Sequence, residues 1–485
     1  MSGSGKSLTI DTIAPMVRDL QYAVRGELYL AGQARMKAGK RVIFCNTGNP
    51  HAIGQQPLTF IRQVMALITA PKDFIENPAI SQFFPPDAIA RAKEYIAAVP
   101  GGVGAYSDSK GLDIVRNEIA DFIARRDGYS TNPENIFLTN GASEGVRLCL
   151  RTIIRGPSDG IMVPIPQYPL YSASIGLYEG SLVGYYLDEK KGWAVNLDAM
   201  YSALNKARSQ GITVRALVFI NPGNPTGKCL TQQGVSELVR FCVEENIVLM
   251  ADEVYQENIY ESSAVFISAR KTMMDMGSPY SEKLELISFH TVSKGVYGEC
   301  GLRGGYFELT NIDPEVAGML YKIASINLSP NVPGQIALGL MVNPPQPGSP
   351  SYDLLQEEKA ALLQSLKNRA QMMSEAFNSL PGISCEQVDS SLYAFPQITL
   401  PQKALEAAAA AGKSPDVFYC LELLNETGIS GVPGSGFGQE EGTFHFRTTI
   451  LPPEDEFEEV VQMFKDFHSK FMAQYSDGEQ PMARL

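Results

Sequence analysis

The segment 286-LISFHTVSKGVYGECGLRGG-305 runs from a short apolar stretch into Thr291, Ser293 and Lys294, then through a glycine-broken turn to Arg303. A lysine in such a place is ordinarily solvated on a turn, because lysines rarely bury unpaired. Near other cations and out of water, the same amine loses its proton more readily and acts as a nucleophile or base. Other stretches bear on which case applies. Gly141, Ala142 and Ser143 stand between an apolar run and a helical pattern. Small residues there let backbone N–H groups approach an anion, although the same residues could simply cap the helix. Thr291, Ser293 and Arg303 add hydroxyls and a fixed cation, which suit a phosphate. Tyr168, beside Pro169, offers an aromatic face to a planar ligand. Asn224, in 221-NPGNPTG-227, can donate to a phenolic oxygen. Asp252 ends a very apolar run, where a carboxylate is costly to bury without a cation; a protonated ring nitrogen would supply one, and capping a turn is the plainer alternative. Together these groups fit pyridoxal 5'-phosphate (PLP). The lysine would form a Schiff base with its aldehyde, the aspartate would keep the pyridine nitrogen protonated, the aromatic ring would stack, and the glycine turn, hydroxyls and arginine would hold the phosphate.

These residues need a scaffold that gathers them. Between about residues 95 and 330, the apolar runs 136-IFLT-139, 161-IMVPI-165, 216-ALVFI-220, 247-IVLMA-251 and 286-LISF-289 alternate with helical segments such as 231-TQQGVSELVRFCVEE-245. Several runs are apolar without alternation, as strands covered on both faces are. The pattern predicts an α/β domain with a mostly parallel sheet, whose ligands bind at the carboxyl ends of the strands. The polar motifs at 140–145, 166–171, 221–227, 252–255 and 291–294 all follow such runs. Proline-rich 341-MVNPPQPGSPSYD-353 reads as a boundary. Beyond it, a long helical stretch (353–380), apparent strands around 392–400 and 443–451, and a C-terminal helix predict a smaller α+β domain. The expected division is a flexible tail over 1–20, an N-terminal segment over 21–95, a large domain over 96–345, a small domain over 346–475 and a C-terminal tail over 476–485.

The NPGNPTG, ADEVY and SKGVYGECGLRGG segments resemble the motifs of class I aminotransferases of the type I PLP fold. VRGELYL, NTGNPHAIGQQPLTF, GAYSDSKG, PIPQYPLYSASI, PGSGFGQ and HFRTTILP resemble the alanine aminotransferase subfamily, which includes glutamate:glyoxylate enzymes, and the likeness covers about residues 20 to 475. The resemblance implies Lys294 as the Schiff-base lysine and the base that moves the proton. It implies Asp252 against the ring nitrogen, Asn224 and Tyr255 at the phenolic oxygen, and Tyr168 stacked on the ring. Ala142, Ser143, Thr291, Ser293 and Arg303 would hold the phosphate, joined by Tyr106 of GAYSDSKG reaching from the neighbouring subunit of a homodimer. Arg447 would clamp the substrate α-carboxylate, and Gly48 and Asn49 would come from a segment closing over the substrate. The implied activity is ping-pong transamination between alanine or glutamate and 2-oxo acids, with pyruvate, 2-oxoglutarate and glyoxylate as counterparts. The same parts could serve a PLP-dependent lyase or decarboxylase, or a PLP-fold protein that only binds.

Composition narrows the field. Of 485 residues, 44% are hydrophobic and 19% charged, and the formal net charge of -13 disfavours nucleic acid as a general partner. No apolar run reaches the length of a membrane span. Seven scattered cysteines without a CxxC pair and four histidines without metal-ligand spacing argue for a reducing compartment and against a metal site. The opening GSGKS resembles the end of a phosphate loop, but no strand precedes it and the glycine expected five positions before Gly5 falls before Met1. The last triplet, Ala483, Arg484 and Leu485, follows polar 476-SDGEQP-481 and has the small–basic–leucine form of a peroxisomal signal. The expected location is peroxisomal, with the cytoplasm as the alternative.

Overall fold

A computed structural model describes residues 6–22 and 26–476. Its centre is a seven-stranded sheet: β1 (Ile136–Asn140), β2 (Asp159–Ile165), β3 (Ser181–Tyr186), β4 (Thr213–Ile220), β5 (Val248–Asp252), β6 (Leu286–Thr291) and β7 (Gly304–Thr310). The spatial order is β1-β7-β6-β5-β4-β2-β3. β7 runs antiparallel to both β1 and β6, and every other pairing is parallel. β5 and β6 are buried along their whole lengths or nearly so, because helices cover both faces. One apolar layer on the sheet includes Leu217, Leu249 and Leu286, and the layer on the other face includes Val218, Met250 and Ile287.

The helices begin where the sequence supplies caps. Thr231 accepts from the Gly234 N–H at 3.1 Å, Asn196 from Ala199 at 3.1 Å and Asn331 from Gly334 at 2.7 Å. The helix expected at 231–245 spans Gln232–Glu245, and the long one expected at 353–380 spans Tyr352–Asn378. Two strands were absent from the expected set. β3 is a half-exposed edge strand, so its apolar signal is weak. β7 opens on Gly304-Gly305, residues that carry little strand propensity. The apparent strand at 392–400 is two short pieces, Tyr393–Ala394 and Gln397–Ile398, separated by Phe395 and Pro396.

Beyond the sheet, Phe377, Tyr419, Phe446 and Phe464 centre a second core formed by the C-terminal part of the chain. The N-terminal stretch reaches this part: Ile43–Phe44 pairs parallel with Ile429–Ser430. That short pairing sets the path of residues 46–49. Among the described residues no helix is long and apolar enough to cross a membrane, and no group of His, Cys, Asp and Glu could hold a metal ion. Ala483, Arg484 and Leu485 lie outside the described residues.

Candidate active site

The loops after β1, β2, β4, β5 and β6 open together at the carboxyl ends of the strands, as expected for such a sheet. They line a cavity of about 350 Å3. Of the residues singled out above, Gly48, Asn49, Ala142, Ser143, Tyr168, Asn224, Asp252, Tyr255, Thr291, Ser293, Lys294, Arg303 and Arg447 all line it. Tyr106 does not: its side chain is exposed on the outside of the chain.

Asp252 ends β5 and is buried. One carboxylate oxygen accepts from the Tyr171 hydroxyl at 2.7 Å, and the other has no hydrogen-bond partner. Burial pushes its carboxyl up to about 6, against the pull of the Tyr171 hydroxyl, the Val254 N–H and the Lys294 cation. A buried carboxylate oxygen without a partner, on a cavity wall, calls for a donor from the cavity. A protonated pyridine nitrogen has that chemistry, so the residues present fit PLP.

The phosphate end fits as well. The helix Ala142–Ile153 starts at the cavity with no side-chain cap, leaving its first N–H groups free for an anion. Gly141 precedes it with φ of 81°, a conformation that favours glycine, and a Cβ there would also displace the Arg303 guanidinium from its present place. Arg303 reaches Ser293 Oγ at 3.5 Å and the Asn140 carbonyl at 3.2 Å. Thr291 donates to the Gly304 carbonyl at 2.7 Å, which fixes its hydroxyl beside Ser293.

Lys294 is half-buried and donates from Nζ to the Gly48 carbonyl at 3.0 Å. Its ammonium also sits 5.6 Å from the centre of the Tyr255 ring. Gly48 approaches so closely that a Cβ would strike the Tyr393 hydroxyl. Arg447, which lines the same cavity, is buried without a carboxylate partner among the described residues. Its guanidinium donates to Asn224 Oδ1 at 3.0 Å and to the Asn46 carbonyl at 2.6 Å, while Nε has no partner. The Tyr393 and Phe437 rings lie 4.3 and 4.8 Å from it. A buried cation with neutral partners only suits an anion arriving from the cavity. Asn224 in turn donates to the Tyr255 hydroxyl at 3.3 Å, so a single asparagine links Arg447 to the phenol expected beside the cofactor.

Sequence reasoning missed Tyr393. Its hydroxyl is 3.1 Å from that of Tyr255. Burial raises it, but the Lys294 and Arg447 cations and the Tyr255 hydrogen bond outweigh burial and bring it below the ordinary phenol value. It also missed Tyr171 as the partner of Asp252, and Tyr22, whose hydroxyl lies 3.1 Å from that of Tyr168. No spacing in the chain links Tyr393 to the cavity; its position depends on how the C-terminal core packs.

Comparison with known proteins places this arrangement. The family described as aminotransferase class I and II matches residues 76–464. Glutamate–glyoxylate aminotransferase 1 of Arabidopsis thaliana is 57% identical over 98% of this chain and 98% of its own. Alanine aminotransferase 2 of Panicum miliaceum is 50% identical over 97% of this chain and 99% of its own. Among solved structures, the alanine aminotransferase of Pyrococcus furiosus superposes with a TM-score of 0.74 at 26% identity, covering 94% of this chain and all of that one.

Proposed function

The chain belongs to the class I and II aminotransferases, a PLP-dependent family, and we propose that it exchanges the amino group of alanine or glutamate with 2-oxo acids, glyoxylate included, using PLP held in the cavity. The observation that carries the reading is that two buried, oppositely charged side chains with unsatisfied atoms line one cavity: Asp252 presents a partnerless carboxylate oxygen and Arg447 a guanidinium without a carboxylate, and Lys294 lines the same cavity. When bound, PLP supplies an electron-withdrawing ring that stabilises negative charge at the substrate α-carbon. Asp252 would hold the ring nitrogen protonated, Asn224 and Tyr255 would donate at its phenolic oxygen, Tyr168 would cover its face, and the Ala142 and Ser143 N–H groups with Thr291, Ser293 and Arg303 would hold its phosphate. Arg447 would grip the α-carboxylate through two parallel N–H bonds and so orient the substrate in the cavity. Lys294, free of its bond to Gly48, would take the α-proton and return it. Gly48 and Asn49 close the substrate side. One site serves donor and acceptor in turn, which gives ping-pong kinetics.

The wider reading includes a homodimer in which the exposed Tyr106 reaches the neighbour's phosphate site, a large domain over 96–345 with a smaller one over 346–475, and import into peroxisomes through Ala483-Arg484-Leu485. The relatives include both glutamate–glyoxylate enzymes and alanine aminotransferases named as mitochondrial, so location is tested separately from activity. The test of function is a steady-state comparison of alanine and glutamate as donors to 2-oxoglutarate and glyoxylate. Formation of pyruvate from alanine, with a shift in the visible absorbance of the purified protein, is the expected result. An unchanged spectrum with all donors, or release of carbon dioxide in place of the oxo acid, would overturn it.

A further inference from the structure

His445 lies two residues before Arg447 in the same extended run, so both side chains leave the backbone on one side. Its ring is buried and stacks on Phe395 at 4.8 Å and 4°. Trp193 meets both rings edge-on, each at 5.8 Å. Nε2 of His445 is 3.1 Å from each carboxylate oxygen of Glu189. Nδ1 is 3.1 Å from Oε1 of Gln439. The amide of Gln439 is oriented by its neighbours: Oε1 accepts from the His445 backbone N–H at 2.9 Å, and Nε2 donates to Asp416 at 3.3 Å. Both ring nitrogens therefore face acceptors. Nε2 faces a carboxylate, which can only accept, so it is the donor of the His445–Glu189 hydrogen bond.

The contacts continue to Arg447. Phe395 meets Phe437 edge-on at 5.7 Å, and Phe437 lies 4.8 Å from the Arg447 guanidinium. At the other end, Glu189 and Trp193 belong to the segment after β3, which is anchored to the sheet by the Leu187 N–H bonding to the Ile165 carbonyl at 3.0 Å. Trp193 holds a left-handed backbone with φ of 63° although it is a bulky residue, a conformation that persists only where its surroundings enforce it. We propose that Glu189 and His445 are positioning residues: a hydrogen-bonded clasp between the central sheet and the C-terminal segment that, through Phe395 and Phe437, holds Arg447 in register with the substrate α-carboxylate. The inference rests on the reading of Arg447 given above. The charged groups around the ring are Glu189 itself, Asp416 behind Gln439, Arg447 along the strand, and Lys228 and Glu386 beside the turn at Gly192.

Trp193 is the only tryptophan in the chain, so its emission reports on the clasp directly. The experiment compares the holoenzyme's tryptophan emission and its steady-state constants for alanine in the wild type, in Glu189→Gln and in His445→Gln. In both variants the emission of Trp193 is expected to change, because the rings it meets edge-on lose their anchor, and KM is expected to rise by about tenfold, equivalent to about 1.4 kcal/mol, while kcat changes little. Glu189→Asp, which keeps the carboxylate, is expected to recover part of the lost KM. Any cofactor contribution to emission is common to all the proteins and leaves the differences intact. An unchanged KM in both variants, or a fall in kcat with KM unchanged, overturns the clasp, and Glu189→Gln alone suffices if the His445 variant does not fold. Arg447→Lys separates the two readings. If it leaves KM unchanged, the anion-receptor reading falls even where the emission of the other variants changes. If it raises KM and Glu189→Gln does not, the site reading stands and the positioning role falls.

Discussion

Replacing Arg447 with lysine gives a result that can be worked out from the structure. The guanidinium carbon lies 4.3 and 4.8 Å from the centres of the Tyr393 and Phe437 rings, and its two terminal nitrogens donate to Asn224 Oδ1 and the Asn46 carbonyl. A lysine keeps the positive charge but loses the fork and the flat stacking surface. It can satisfy at most part of what arginine did: one strong contact to a substrate carboxylate in place of two, with a buried acceptor left short of a donor. Hydrogen bonds to charged groups are worth about 1.5–3 kcal/mol each, so the loss of one predicts a fall in kcat/KM of roughly ten- to a hundredfold. The α-carboxylate is common to all amino acid substrates. The fall should therefore be equal for alanine and glutamate, and alaninamide, which lacks the carboxylate, should react no worse with the variant than with the wild type. Initial rates with the three donors at saturating acceptor measure this. A loss confined to glutamate would mean that Arg447 reads the distal carboxylate, and the orientation of substrate in the cavity would be reversed.

Asp252→Asn should weaken PLP binding and slow turnover by orders of magnitude, since a partnered buried charge is typically worth about 3–5 kcal/mol. Because burial places the Asp252 carboxyl at about 6, apoenzyme affinity for PLP should fall as pH drops through about 6, where the carboxylate takes up a proton and ceases to attract a cationic ring. Equilibrium dialysis should show this component in the wild type and not in Asp252→Asn, whereas any effect of protonating the cofactor phosphate persists in both; identical pH profiles would refute the assignment. Tyr393→Phe should lower kcat more than it raises KM for alanine, as the hydroxyl faces Tyr255 and the Lys294 amine while the ring packing under Arg447 is kept; a change in KM alone would make Tyr393 a mere support. A fluorescent protein carrying the last ten residues should enter peroxisomes and stay cytosolic once Ala483-Arg484-Leu485 is removed; a diffuse signal from the intact tail in an import-competent host would count against the targeting reading.

Much of the site was legible because its chemistry sits in local motifs at strand ends. Asp252, Lys294 and the Gly141-Ala142-Ser143 turn each follow an apolar run directly, so a strand pattern is enough to bring them to one edge. Arg303 was legible for a different reason: only nine positions separate it from Lys294, and the hairpin from β6 to β7 returns it to the same cavity. β7 itself was not seen, since it opens on two glycines, Gly304 leaving room for the Gly334 carbonyl and Gly305 for the Gly141 turn. Tyr393, Tyr22 and the His445–Glu189 contact were invisible for the opposite reason. They join parts of the chain separated by more than a hundred residues, through packing that no local pattern encodes. Tyr106 remains apart from the cavity of its own chain, and the role suggested for it needs a second subunit.

The account turns on Lys294, whose amine donates to the Gly48 carbonyl on the wall of the cavity. The most direct test is to reduce the PLP-loaded protein with borohydride, digest it and map the pyridoxyl-labelled peptide. The label is expected on Lys294 alone, with Lys294→Ala folding normally, taking no label and showing no turnover. A label on any other lysine, or an active Lys294→Ala protein, would contradict the assignment of the site.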